Sequence, residues 1–279
     1  MAAAQHGNGG WPTTILERAG WAIWRVVSRI AIILGILTVY SWFRKTYFIR
    51  PAELAYANAL DIIELQRLLG IAVTRLEIPL QQRVLEHAWL IDFFNAYYRQ
   101  FKPALYICVA LCLLLAPARF GHIFRIFLLV TLIALPMYAI YPLAPPRLMG
   151  PYGFEFVDTL AVYGGAPSTS AGVSGANQFA AMPSMHIGWT TIAAMWLAAA
   201  IPRWRIGLIV GMLHVAMMCV TVVVTGNHYV LDIVAGFAVA GAAVFVARFF
   251  PTGTVGSGWD PLRWRVRRTT RWSTDSTTD

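Results

Sequence analysis

The chain has 279 residues, of which 58% are hydrophobic and only 13% charged, with a mean hydropathy of +0.60. A soluble domain carries about 25% charged residues, so this composition excludes an ordinary soluble protein and places the chain in a bilayer. The net charge of +9 does not indicate a nucleic-acid partner, because the arginines gather at the ends of apolar runs, where lipid headgroups lie.

The first apolar run, residues 21–43, is followed by Arg44 and Lys45 where a cleaved signal would show small residues, so it reads as a retained span after a short tail, 1–20. Residues 44–87 mix charge and apolarity at helical period, with Leu60, Ile63, Leu68 and Ile71 among Asp61, Glu64, Arg67 and Arg75. They predict amphipathic helices that lie on the membrane or cap the bundle. A catalytic core over 88–250 follows. Its spans are expected at 88–115, 122–143, 186–201, 206–225 and 229–249, the first of these carrying Asp92, Asn95, Arg99 and Lys102 in its first half. The expected fold is an all-α, polytopic bundle of six transmembrane helices with extra amphipathic helices. The tail, 251–279, is rich in Gly, Ser, Thr and Arg and reads as flexible and basic, suited to anionic lipids.

Orientation follows from the short arginine-bearing connections. Arg119, Arg125, Arg203 and Arg205, with Arg263, Arg265, Arg267, Arg268 and Arg271 in the tail, belong in the cytoplasm by the positive-inside rule. Arg44, Lys45 and Arg50 then lie outside against that rule, although acidic residues nearly balance their segment. Three polar motifs fall together on the outer face of a cell-membrane protein: YPLAPPRLM at 141–149, PSMH at 183–186 and TGNHYVLD at 225–232.

Pro183 suits a first helical turn, and the unpaired N–H groups of a helix start favour an anion. Ser184 adds a hydroxyl and His186 a titratable ring one turn in; an interfacial histidine beside a capping serine fits the same pattern. His228 and Asp232 are four residues apart, so a helix would put them on one face. The carboxylate then fixes the imidazole tautomer and supports its cation, although a polar clip between helices has the same spacing. Arg147, after a Pro-Pro pair, offers a planar fork to phosphate oxygens or serves as a membrane-border anchor. His214, mid-span, reads as a bond to a neighbouring helix, and His6, His87 and His122 show no partner spacing. Cys108, Cys112 and Cys219 all lie in apolar runs, which supports neither a disulfide framework nor a thiolate zinc site. Zinc on His186, His228 and Asp232 has no HExxH-like pattern behind it.

PSMH and HYVLD, in this order and opening two apolar spans, resemble the second and third signature motifs of the type 2 phosphatidic acid phosphatase superfamily. The resemblance implies a nucleophilic His228 that becomes phosphorylated, an activating Asp232 and a general acid at His186, with no metal or cofactor. Two departures bear on the substrate. The third motif usually opens with Ser-Arg, where this chain has Thr221 and Val222, and Met185 replaces a glycine. The first motif is absent, FRKTYFIRP having the wrong spacing. PPR after the third span, with GNHY, resembles instead the branch of inositol phosphorylceramide synthases and inositolphosphotransferases. It implies phosphate binding by Arg147, Ser184, Met185 and Asn227.

A phosphate monoester carries about −1.5 to −2 charges near neutral pH, a diester about one, so losing a cation suits a diester donor. Arg44, Lys45, Arg50 or Arg99 folding back would remove that inference. The reading is a lipid phosphotransferase acting on a membrane lipid phosphate, with an alcohol or water as acceptor. A lipid or polyprenyl phosphate hydrolase, and a non-catalytic binding or transport protein, are the alternatives. The glycine-rich stretch around Gly164, Gly165, Ser168–Ser170 and Gly175 suggests a lid or acceptor site.

Overall fold

The computed structural model describes residues 15–46, 51–163 and 178–250. The N-terminal tail, Arg50, the expected lid glycines and the basic tail lie outside the described residues. Ten α-helices follow one another: α1 (Ile15–Thr46), α2 (Ala52–Leu68), α3 (Glu77–Leu85), α4 (Ala88–Arg99), α5 (Phe101–Leu115), α6 (Pro117–Ile140), α7 (Thr159–Val162), α8 (Met185–Ala200), α9 (Trp204–Val224) and α10 (Val230–Ala247). Among the described residues the only strand-like pairing is one parallel bridge, Leu143 with Ala180. The fold is all-α and polytopic.

Four helices, α1, α6, α9 and α10, are long and apolar enough to cross a membrane, and the α4–α5 pair makes a fifth if counted as one span. The expected continuous span over 88–115 is corrected here, for it bends by 50° at Gln100. Pro103 explains the break: it has no N–H for the carbonyl of Arg99 and its ring crowds that carbonyl. The centre of the bundle is α8, which packs against α5, α6, α9 and α10. Twelve of its sixteen residues are buried, and at about 1.5 Å per residue it is only about 24 Å long.

Close helix contact depends on glycine at defined places. A Cβ at Gly211 would lie 2.7 Å from the Ala194 side chain, and one at Gly207 2.8 Å from the Leu197 carbonyl, so α9 lies directly on the backbone of α8. At the other face, a Cβ at Gly236 of α10 would lie 2.6 Å from the Ser184 carbonyl. At the end of the bundle away from α8's N-terminus, Arg119 donates to the Ala199 carbonyl at 2.9 Å and Arg125 to that of Phe250. Both satisfy carbonyls at helix C-termini, where positive charge is favoured.

α2, α3 and α4 cap the other end, and their buried faces mix apolar residues with amides and one carboxyl. On α2 the inward residues are Ala55, Asn58, Ala59, Ile62, Ile63 and Gln66, a regular helical stripe. Of the apolar residues whose helical period marks this segment in the sequence, Ile63 belongs to the inward stripe, while Leu60 and Leu68 are exposed, on the side that an amphipathic helix lying on the membrane would turn toward it. The buried amides act as clamps on loop backbone. Asn58 donates to the Pro142 carbonyl at 2.7 Å. Gln81 of α3 donates to the carbonyls of Val157 and Val224 at 2.9 Å each and accepts from the Val157 amide at 2.8 Å. Asn95 of α4 donates to the Thr159 carbonyl at 3.0 Å and accepts from its hydroxyl at 2.8 Å. Each clamp satisfies backbone that would otherwise be buried without a partner.

Candidate active site

The three polar motifs meet at the capped end of the bundle because backbone bonds tie their loops together. Leu143 donates to the Phe179 carbonyl at 2.7 Å, fastening the exit of α6 to the chain leading into α8. Arg147 donates its backbone amide to the Gly226 carbonyl at 2.9 Å, fastening the PPR turn to the α9–α10 turn. Gly226 has φ +69, and a Cβ there would meet the Val157 carbonyl at 3.0 Å and Arg147 Cβ at 3.2 Å, so this turn requires glycine. Ser184 completes the ring by donating its amide to the Asp232 carbonyl at 3.0 Å.

Two imidazoles and a carboxylate form a chain within this ring. Asp232 Oδ2 lies 3.3 Å from His228 Nδ1, and His228 Nε2 lies 3.2 Å from His186 Nδ1. An ionised carboxylate only accepts, so His228 carries its hydrogen on Nδ1; a neutral His228 accepts at Nε2 and His186 donates from Nδ1. The route to this contact corrects the shared-face argument, since α10 begins at Val230 and His228 precedes it. Asp232, at the third helical position, reaches back over the helix start instead, and the same oxygen accepts from the Tyr229 amide at 2.9 Å. His228 and Asp232 are both buried. His186 is held between the rings of Tyr98 and Phe101, at centroid distances of 4.6 and 4.8 Å.

Arg147 lies beside the pair, held by two partners. Its Nε is 3.4 Å from Asp158 Oδ2, an ion pair without hydrogen-bond geometry, and its Nη1 donates to Asn227 Oδ1 at 2.8 Å. Asp158 uses its other oxygen to accept from the Ala161 amide at 3.0 Å, so it caps α7 while facing the guanidinium. Asn227 is expected from sequence as a phosphate ligand. It lines the cavity, its Oδ1 accepts from Arg147, and its Nδ2 bonds Thr225, at 2.8 Å to the hydroxyl and 3.4 Å to the carbonyl. Ser184 opens α8 without a side-chain cap, and its buried hydroxyl has no hydrogen-bond partner among the described residues. Met185 and His186 line the cavity; Ser184 does not.

That cavity, about 310 Å³, is bounded at its polar end by Lys102, Arg147, Gln178, His186, Asn227 and His228. Leu37 and Tyr40 of α1 and Trp189 of α8 give it an apolar wall. Lys102, one of the charges that the sequence places in the first half of the 88–115 span, lines the cavity, and Asp158 is the charged residue that sequence reading missed. The Pro103 break that turns Lys102 toward the cavity is a visible signal; nothing in the sequence pairs Asp158 with Arg147. Val222, where the resemblance expects arginine, is buried in the apolar core. Its carbonyl accepts from the amides of Asn227 and His228 at 3.0 Å each, so the position supports the turn through its backbone. Of the cations considered as substitutes, Arg99 does not line the cavity, and the side chains of Arg44, Lys45 and Arg50 lie outside the described residues. His214 contacts the Tyr97 hydroxyl on α4, a bond between helices. Among the described residues no group of three His, Cys, Asp or Glu side chains is arranged to hold a metal ion.

The arrangement suits nucleophilic displacement at phosphorus: an oriented imidazole, a second imidazole able to donate a proton and an anchored guanidinium. A family model described as the PAP2 superfamily matches residues 60–246. A phosphoinositol dihydroceramide synthase from Bacteroides thetaiotaomicron is 26% identical over 220 residues, which cover 72% of this chain and 70% of the relative. No solved structure matches the chain significantly.

Proposed function

The chain belongs to the PAP2 superfamily, and from that premise we propose that this membrane-embedded phosphotransferase or phosphatase moves a phospho-headgroup from a donor lipid to an alcohol through a phosphohistidine on His228. The observation that carries the reading is the unbroken Asp232–His228–His186 chain with Arg147 anchored beside it. The His228 Nε2 lone pair attacks phosphorus while the bond from phosphorus to the leaving oxygen breaks. That oxygen takes the proton from His186 Nδ1, and Asp232 stabilises the charge on His228. In the second half-reaction the acceptor hydroxyl gives its proton to His186 and attacks phosphorus as the P–N bond breaks. Arg147 and the helix start at Met185 stabilise the equatorial oxygens. In-line attack needs phosphorus between nucleophile and proton donor, so the two imidazoles separate when the phosphoryl group enters.

Three considerations support headgroup transfer from a diester. Val222 leaves the site without a second arginine at that position, and Arg147 is already partly neutralised by Asp158 at 3.4 Å. Lys102 also lines the cavity, so with Arg147 paired to Asp158 these three charges sum to a single excess cation, which suits a singly charged diester better than a monoester. The similar protein from Bacteroides carries a synthase name with phosphoinositol as the transferred group, which points to an inositol phospholipid as donor and a ceramide-type alcohol as acceptor. The apolar wall from α1 suits acyl chains. Purified protein offered a radiolabelled phosphatidylinositol and a ceramide should form a labelled diester product, and acid-labile, alkali-stable label should appear on the wild-type chain but not on His228→Ala. Release of inorganic phosphate from phosphatidic acid with no transfer to any alcohol would make the protein a hydrolase instead.

A further inference from the structure

The start of α10, which carries Asp232, is held by side chains from outside the catalytic motifs. Glu77 Oε1 accepts from the Val230 amide at 2.8 Å and from Gln66 Nε2 at 2.7 Å. Gln66 Oε1 accepts from the Leu231 amide at 3.1 Å. With Asp232 on the Tyr229 amide, three consecutive N–H groups of the helix start are taken by three side chains, from α2, α3 and α10 itself. Glu77 and Gln66 are both fully buried, at 0% exposure. A buried carboxyl is costly unless it is paired or neutral, and none of the ion pairs among the described residues involves Glu77.

We propose that Glu77 is a positioning residue for the reaction: with Gln66 it fixes the start of α10 so that Asp232 faces His228, and its protonation sets how many negative charges stand behind that pair. The proposal rests on the reading of His228 as nucleophile. When Glu77 is neutral, Asp232 is the single anion opposite His228. When Glu77 ionises, a second buried anion lies within electrostatic range of Asp232 and opposes both the charge on Asp232 and the arrival of an anionic substrate.

The neighbours decide where this change falls. Burial pushes the Glu77 carboxyl up to about 7, against the lowering effect of its bonds from Val230 and Gln66, and Asp232 raises it further. Facing it are Gln66 from α2, uncharged, and Asp232 and Tyr229 at the α10 start, with which it interacts electrostatically. The change from one buried anion to two thus takes place around neutral pH.

The test uses the full-length chain in detergent and a nitrophenyl alkyl phosphodiester, whose leaving group hardly needs protonation, so that His186 titration does not shape the first half-reaction. The second-order rate of the nitrophenolate burst in the wild type should fall relative to that of Glu77→Gln, which keeps an acceptor oxygen without the ionisation, as pH rises through about 7; taking the ratio of the two profiles cancels the titration of His228, which both chains share. Below pH 6, Glu77→Gln should lie within threefold of wild type, whereas Glu77→Leu, which leaves the Val230 amide unbonded, should lose at least tenfold. An unchanged pH profile in Glu77→Gln overturns the proposal, and so does equal activity of the Leu and wild-type chains. If Glu77→Leu does not fold, the Gln profile alone decides. Retained activity in His228→Ala would instead remove the nucleophile assignment, whatever Glu77 does.

Discussion

His186 Nδ1 lies 3.2 Å from His228 Nε2, so the proton donor and the nucleophile of the proposed reaction are bonded to each other. The donor hydrogen that occupies the attacking lone pair is the one the leaving oxygen later receives. Phosphate has to part the rings, and Tyr98 and Phe101 on either side of His186 bound how far it can swing.

The two histidines should therefore differ in what they need from the leaving group. His228→Ala is expected to be inactive on every substrate. His186→Ala should lose roughly 10² to 10⁴-fold with an alkyl-alcohol leaving group, yet give a nitrophenolate burst with an activated diester. Stopped-flow burst amplitudes at several enzyme concentrations check this. A burst from His228→Ala and none from His186→Ala would exchange the roles.

In the proposed reaction Asn227 acts on substrate through Arg147. Asn227→Ala removes the acceptor at 2.8 Å from Nη1, and a hydrogen bond to a charged group contributes about 1.5 to 3 kcal/mol. The expected loss is about tenfold to a hundredfold in kcat/KM, appearing mainly in KM. Arg147→Lys should lose more, because an ammonium cannot keep the Asp158 and Asn227 contacts and also present a fork to phosphate. Steady-state kinetics on both variants would show it, and an unchanged KM for Asn227→Ala would contradict the assignment.

Gly236→Ala tests how tightly α10 must approach α8. The new methyl would meet the Ser184 carbonyl at 2.6 Å, so the α8 start must shift, and overpacking of this kind costs about 1 to 3 kcal/mol. His186 should move away from His228 and activity should fall with thermal stability. Gly241→Ala in the same helix, where a Cβ would meet nothing within 4 Å, is the control and should be neutral or slightly stabilising.

Glu77 also leaves a mark on stability. Its carboxyl is raised from 4.5 to about 7 in the fold, so the folded chain holds this proton more tightly than the unfolded one. Its contribution to stability is greatest below about 4.5, falls as pH rises and levels off above about 7. Each pH unit of difference corresponds to about 1.4 kcal/mol, giving a decline on the order of 3 kcal/mol across the window. The wild type minus Glu77→Gln difference in unfolding free energy in detergent should trace this slope, and a flat difference would contradict it.

Orientation is testable by labelling. A cysteine replacing exposed Tyr152, on the active-site side, should react with an impermeant maleimide in intact cells, and one replacing Arg203 should not. The opposite result would put the site in the cytoplasm.

Sequence alone revealed the three motifs, because proline, histidine and aspartate are conspicuous at the edges of apolar runs. PSMH and HYVLD lie where helix starts were expected, and the core helix boundaries differ from expectation by only a few residues except at Gln100. What sequence did not reveal is the inward face of α2 to α4. In water an apolar stripe marks the core, but lipid is as apolar as a protein interior, so Leu60 and Leu68 gain nothing by turning inward. The interior holds Ile62, Ile63, Ile78 and Ile91 together with Asn58, Gln66, Glu77, Gln81 and Asn95, and each of these five polar residues bonds backbone far along the chain. Those partners are 64 to 165 residues distant for Asn95 and Gln66, and no local periodicity encodes them.

The shortness of α8 sets the depth at which chemistry happens. A hydrocarbon core is about 30 Å thick, and the proposed orientation puts the arginines beside the α8 C-terminus at one headgroup layer. A helix of about 24 Å rising from there stops below the opposite layer, and His186 with it. In the proposed reaction a phospholipid would then bring its phosphorus to His228 by sinking a few ångströms, with its acyl chains still among their neighbours against α1. Extraction of the lipid into water, the costly step for any enzyme working on a bilayer from outside, would be avoided by the length of one helix.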